Sequence, residues 1–314
     1  LDALNGAMMY LRAQFGATEL HGWNYCSWHY LSCFPSDNVH PGGGGIADLP
    51  ILQDLGEYDW TSESNALFYF WQKCYYGIAR CNAVLENPQY TSEMLTQYQA
   101  QARFLRGLFH FQLVQIFGNV VAVDHLLLTD EFKQPRSSYT ELFNLIVSDF
   151  KAAAVVLPLK SEQNAIDLNR PSKGAAQAWL GKAYLFMASP YYTDFGSEYY
   201  DSAAAALQQV IASGEYGLEP DFNNVWQIDN EYGIESILEV EYHSTNTLDG
   251  FSHMLWASGN LDVQMGGVRN CNSCDSIASG TWGWSIPTRD LINAYNSEGD
   301  IERLNGTVVL ESDI

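Results

Sequence analysis

The chain has 314 residues, 47% of them hydrophobic and 14% aromatic, and its 15 Lys and Arg against 37 Asp and Glu give a formal charge of −22. The apolar share supports a sizeable core and excludes a disordered chain. The charge excludes nucleic acid as a partner, because such a surface repels a phosphate backbone. No stretch reaches the roughly 18 unbroken apolar residues of a membrane span.

Residues 2–16 alternate apolar and polar at helical spacing and predict a helix from the very start. No secretory signal precedes it, so a cut start is expected. Residues 17–60, with PGGGG at 41–45, predict a long structured loop of the kind that carries function. Its HGWNYCSWHY stretch (21–30) packs two tryptophans, two tyrosines and two histidines into ten positions. Rings in such excess fill a core or line a binding site, and composition leaves both open. A helix follows over 62–87, capped by Ser62 or Ser64 and stopped at Asn87-Pro88. The clearest helix spans 91–120, opened by Thr91 or Ser92 and closed by Gly118 in a left-handed C-cap position. Further helices are predicted over 137–158, 170–190 and 199–218, the last ending at Gly214.

These six helices predict three antiparallel pairs. The fifth carries Leu180-Gly181-x-x-Tyr184, the centre of the tetratricopeptide signature, although Gln177 stands where its tryptophan is expected. The glycine admits a neighbouring helix closely while the leucine and tyrosine fill the groove. Beyond 218 the texture changes. ESILEVEYHS (235–244) alternates at period two and predicts a strand. Residues 245–283 predict loops, and 286–300 a short helix after Pro287.

Of six cysteines, Cys74 and Cys81 lie two helical turns apart, about 10 Å along the axis, too far to bond each other; buried free thiols are expected. Cys26 and Cys33 flank the aromatic cluster. Cys271 and Cys274 form one C-x-x-C, which is half a zinc site or a local disulfide. His21 and His29 could meet a metal but lack a third ligand, so neither metal nor cofactor is expected. Glu239 and Glu241 read as a solvated strand face. No H-E-x-x-H, phosphate loop, dinucleotide fingerprint or G-x-S-x-G is present, and PGGGG lacks the lysine of a phosphate loop. Arg103 and Arg106, in a strongly apolar helix, each call for an acidic partner, and a structural ion pair is expected.

Four segments in order resemble the SusD/RagB family. ARFLRGLFHFQLVQIFGNVV (102–121) is similar to its A-R-F-L-R-A hallmark followed by aromatics and L-F-G-D-V-P, departing at Gly107 for alanine, Asn119 for aspartate and Val121 for proline. NRPSKGAAQAWLGKAYLFMA (169–188) resembles G-R-x-T-K-x-A-A-x-A-L-L-A-K-x-Y-L, with Asn169 for glycine and Ser172 for threonine. WQKCYYGIARCNAVLE (71–86) and IPTRDLINAYNSEGDIERL (286–304) resemble two more.

The resemblance implies a mainly α fold: a tetratricopeptide-like scaffold of helical pairs with a loop-rich ligand face and few short strands. It implies a single domain over 1–314, with a helical scaffold at 1–218 bearing the ligand loop 17–60, and a loop-rich 219–314. Relatives are longer, so the chain is expected to be their N-terminal part. The implied function is non-catalytic: a lipoprotein of the bacterial outer-membrane surface that captures oligosaccharides and passes them to a SusC-like TonB-dependent transporter. The lipid-anchoring cysteine of relatives is absent here, so the anchor is implied by resemblance only. A peptide-binding RagB-like uptake protein and a secreted all-helical carbohydrate-active enzyme are the alternatives, the latter needing an acid and a second carboxylate at fixed separation. The ligand positions implied are Asp37, Asn38 and His40, facing an aromatic platform of Trp282 and Trp284.

Overall fold

A computed structural model describes residues 1–13, 27–86, 93–242, 261–269 and 281–309. Residues 21–26 of the aromatic cluster lie outside the described residues, as do the Thr91 and Ser92 caps, the Asn87-Pro88 stop, and Cys26, Cys271 and Cys274. The described helices are α1 (Asp2–Arg12), α2 (Trp28–Cys33), α3 (Pro50–Glu57), α4 (Asn65–Leu85), α5 (Glu93–Phe117), α6 (Tyr139–Val156), α7 (Lys173–Met187), α8 (Tyr199–Ala212), α9 (Leu261–Gly266), α10 (Arg289–Glu298) and α11 (Ile301–Thr307). Two short strands, β1 (Val39–Pro41) and β2 (Ser285–Pro287), form one antiparallel ribbon. The expected mainly helical fold is what the chain adopts.

The helices end where the sequence places their signals. Ser138 caps α6 with a capping box, its hydroxyl accepting from the Glu141 N–H while the Glu141 carboxylate accepts from the Ser138 N–H. Ser172 caps α7, and Thr288 caps α10. Gly118 and Gly214 both sit at positive φ, at 67° and 71°.

The chain divides into two compact units. The first holds Leu1–Arg12, Lys73–Pro220 and Gln227–Glu241; the second holds Ala13–Gln72, Asp221–Trp226 and Tyr242–Ile314. The described part of the loop 17–60 therefore belongs with the C-terminal segment rather than with the scaffold helices.

In the first unit α5 packs on α6, α6 on α7 and α7 on α8, a continuous stack. From Ala100 to Val114 nearly every α5 side chain is buried, apolar or not, which marks it as the central helix. Gly107 lets α6 approach: a Cβ there would lie 3.1 Å from the Phe150 ring. Gly181 does the same for α8, since its Cβ would lie 2.6 Å from Leu207 Cγ. The tetratricopeptide-like glycine is thus a packing residue, and Tyr184 stacks on Tyr199 at 5.9 Å beside it.

Arg103 and Arg106 find their acid in Asp149 of α6. Arg106 grips it with two bonds of 2.8 Å and Arg103 lies 3.4 Å away. Arg106 also donates to the Asn82 side chain at 2.8 Å and to the Asp124 carbonyl at 2.6 Å. Asn82 in turn donates to the His125 carbonyl, and the Val123 N–H donates to His110 Nε2 at 3.1 Å. Residues 121–125 thus form an extended strap whose backbone is satisfied by polar side chains of α4 and α5 instead of a neighbouring strand. Cys74 and Cys81 are both buried, as expected.

One element differs from expectation. Residues 235–242 form no strand. Neighbouring backbone groups are taken by side chains: Lys160 Nζ donates to the Gly233 and Ser236 carbonyls at 2.7 Å each, and Glu239 accepts from the Tyr232 N–H. Among the described residues the period-two pattern has no partner strand to act on.

Candidate functional site

The second unit gathers the aromatic loop and the ligand loop. β1 and β2 pair with Val39 opposite Pro287, His40 opposite Ile286 and Pro41 opposite Ser285. The ribbon continues past the strands, with Gly42 N–H donating to the Trp284 carbonyl and Gly43 N–H to the Gly283 carbonyl, both at 2.9 Å. Beyond its other end, the Thr288 hydroxyl donates to the Asp37 carbonyl at 2.6 Å and the Thr288 N–H to the Asn38 carbonyl at 2.9 Å. The two segments singled out in the sequence therefore lie side by side, although they are about 250 residues apart.

Asp37, Asn38 and His40 are all exposed along this edge. Their backbones are fixed by Thr288 and by Ser36, whose hydroxyl accepts from the Asn38 N–H. Trp282 is half-buried; its N–H donates to Gln264 and its carbonyl accepts from Arg269 at 3.0 Å. Trp284 corrects the expectation. It is 1% exposed and cannot serve as an open platform. Its ring fills the space beneath the glycine loop: Gly43 has φ +78°, and a Cβ there would lie 2.6 Å from Trp284 Cζ2. Gly43 is glycine because the backbone must cross that indole face closely at positive φ.

The exposed rings near the Asp37 turn are Tyr58 and Trp60, which the sequence reading passed over. Tyr58 is 62% exposed and Trp60 39%, their centroids 5.5 Å apart and planes tilted by 43°. Tyr58 ends α3 in the left-handed region at φ 59°, rare for a bulky residue. Its hydroxyl donates to the Pro35 carbonyl at 2.7 Å, tying the ring pair to the Pro35–Asn38 turn. The signal available was E-Y-D-W (57–60), two rings alternating with two acids at a helix end.

The opening cluster is largely structural where described. Tyr30 is fully buried and packs on Phe34 at 4.5 Å, and Trp28 meets Phe70 at 5.8 Å. His29 is exposed and pressed below its ordinary pKa by partial burial. His21 lies outside the described residues, and among those described no group of three or more His, Cys, Asp or Glu could hold a metal. Nor does any described helix have the length and apolarity to cross a membrane.

Such a surface can hold a sugar without breaking it. The C–H face of a pyranose packs on an aromatic ring, and carboxylates, amides and imidazoles bond its hydroxyls, whose desolvation would otherwise go uncompensated.

Residues 50–185 match the SusD-like family described as "Starch-binding associating with outer membrane". The chain is 28% identical over 171 residues to the SusD-like protein P38 of Formosa agariphila, an alignment covering 54% of this chain and 31% of that protein. Surface glycan-binding protein A from Bacteroides thetaiotaomicron, solved with laminarihexaose, superposes with a TM-score of 0.77 at 19% identity, covering 94% of this chain and 60% of that one. A laminarin-binding SusD-like protein gives 0.80 at 23% identity over 98% of this chain and 65% of its own. The chain thus spans less than half the length of the curated relatives it matches and about three fifths of the solved structures.

Proposed function

We propose that the chain, similar to SusD-like proteins over residues 50–185, is a non-catalytic glycan-binding protein of the bacterial outer-membrane surface. The observation that carries this reading is the exposed Tyr58–Trp60 pair tied to the Asp37 turn, on a unit whose ribbon holds the acceptor edge in place. In this reading Tyr58 and Trp60 give the sugar its flat surface, Trp282 extends it, and Asp37, Asn38 and His40 bond the hydroxyls. Trp284 supports the loop from below. Relatives whose names record laminarin or laminarihexaose make a β-glucan the first ligand to try. Captured oligosaccharide would pass to a SusC-like TonB-dependent transporter, with the protein held at the membrane by a lipid anchor; the family resemblance supports both.

The deciding experiment is affinity electrophoresis of the protein through gels containing laminarin, starch or mannan, beside a reducing-end assay on the same polysaccharides. Retention without release of new ends is the expected result. Turnover abolished by a single carboxylate substitution would replace this reading with that of a carbohydrate-active enzyme.

A further inference from the structure

The charge of the second unit is lopsided. It carries seventeen acidic residues and only three basic ones, Arg269, Arg289 and Arg303. Between Arg12 and Lys73 there is no lysine or arginine at all. Within that stretch Glu57 and Asp59 flank Tyr58, Asp59 also precedes Trp60, and Glu63 follows; all three acids are exposed. Asp37 is exposed on the turn to which Tyr58 is tied.

Two cations come near the ribbon: Arg289 is exposed beside Asp290 at the start of α10, next to Thr288, while the charge of Arg269 is already committed. Arg269 Nη1 donates to the Trp282 carbonyl and lies 3.9 Å from Asp48 Oδ2. Asp48 is fixed in turn by the Gly44 N–H, which donates to the same oxygen at 2.7 Å. Arg303 is paired with Asp300. An arginine beside a half-buried tryptophan would ordinarily make a favourable seat for a sugar carboxylate or sulfate. Here Asp48 cancels it locally, while the acids around the ring pair lie within a Debye length, about 8–10 Å at ordinary ionic strength, of any chain stacked on Tyr58 and Trp60.

We infer that this face accepts uncharged glycan chains and rejects those bearing carboxylates or sulfates, with Asp48 enforcing the rejection by neutralising Arg269. The inference rests on the glycan-binding reading and adds the class of ligand. Carboxylates around an aromatic seat are good acceptors for neutral hydroxyls, so the feature that repels an anion also serves a neutral sugar.

The test uses the same protein and matched ligands: laminarin, starch and mannan, each beside its own sulfated and carboxymethylated derivative. At low salt a neutral polysaccharide should be retained at least tenfold more strongly than its anionic derivative. In about 1 M salt, where the Debye length falls to about 3 Å, the gap should close. Asp48→Asn keeps an acceptor for the Gly44 N–H but releases Arg269. It should leave neutral retention unchanged and strengthen anionic retention several-fold. Equal or stronger binding of the anionic form overturns the charge inference and leaves glycan binding standing. So does a gap that persists in high salt, which would be one of shape, or an Asp48→Asn protein that behaves as wild type. Absence of retention on every polysaccharide, neutral and anionic, sinks the glycan-binding reading and this inference with it.

Discussion

The Thr288 hydroxyl donates to the Asp37 carbonyl at 2.6 Å, across 251 positions of sequence, and the same oxygen accepts from the Leu291 N–H to cap α10. One side chain thus starts a helix and fastens the turn that carries Asp37 and Asn38. Thr288→Val keeps the shape and removes both bonds. Loss of a cap and of a buried hydrogen bond costs about 1–2 kcal/mol. A lower Tm together with weaker glycan retention is expected, and Thr288→Ser should restore both. Retention that survives in Thr288→Val would mean the turn is held without this bond.

The Arg106–Asp149 pair makes a sharper stability prediction. Asp149 is fully buried, and Arg106 also anchors Asn82 and the strap at Asp124. Arg106→Met leaves the carboxylate buried beside Arg103 alone. Removing one partner of such a pair costs about 3–5 kcal/mol. Urea unfolding should therefore show a large fall in midpoint, and Arg106→Met with Asp149→Leu should recover much of it. If the double variant is no better than the single, the loss lies in the strap contacts and not in the stranded charge.

His110 sets a pH dependence. The Val123 N–H donates to its Nε2, so the ring proton sits on Nδ1, bonded to the Arg106 carbonyl at 2.9 Å. Burial, with Arg106 nearby, lowers its pKa to about 4, against the ordinary 6.5. Between those values the unfolded chain binds a proton that the folded one refuses. The stability from His110 is therefore complete above pH 6.5 and is lost as pH falls toward 4, by about 3 kcal/mol in all. Melting temperatures from pH 7 to 4 should fall, and His110→Gln should flatten this part of the slope. An unchanged slope in the variant would assign the acid sensitivity to other groups.

The scaffold was legible because its signals are local. Ser138, Ser172, Gly118 and Gly214 mark helix ends within a turn of their position, and Gly181 announces a close neighbour. The buried acid for Arg103 and Arg106 could be required from sequence but not named, because Asp149 lies more than 40 residues away. Two departures from the family pattern also gain a reason. Val121 donates its N–H to the Tyr75 hydroxyl at 3.0 Å, which a proline could not do, and Asn119 Nδ2 donates to the Ser137 carbonyl at 3.0 Å, which an aspartate could not do. The site was half legible. The resemblance named two segments that β1 and β2 bring side by side, but which ring is open depends on the glycine loop crossing Trp284. Periodicity carries no information about that crossing. Tyr58 escaped because its left-handed backbone follows from packing at the end of α3.

The last prediction separates the two tryptophans. Trp284 is enclosed beneath Gly43, and its backbone N–H donates to the Met265 carbonyl at 2.7 Å. Trp284→Ala would empty a large buried volume, and truncating a core aromatic costs about 3–5 kcal/mol. The variant should melt far lower, and any loss of glycan retention would follow from the collapse of the loop. Trp60 is partly open already and packs on Tyr58. Trp60→Ala should leave the Tm within a degree or two, since little buried area is lost. Taking away an aromatic surface that a sugar covers should cost about 1–3 kcal/mol of binding, a ten- to hundredfold loss of affinity. Paired melting curves and affinity gels on the two variants read both quantities. A stable Trp284→Ala protein that no longer binds, beside a Trp60→Ala protein that binds normally, would return the platform to Trp284 and remove it from Tyr58 and Trp60.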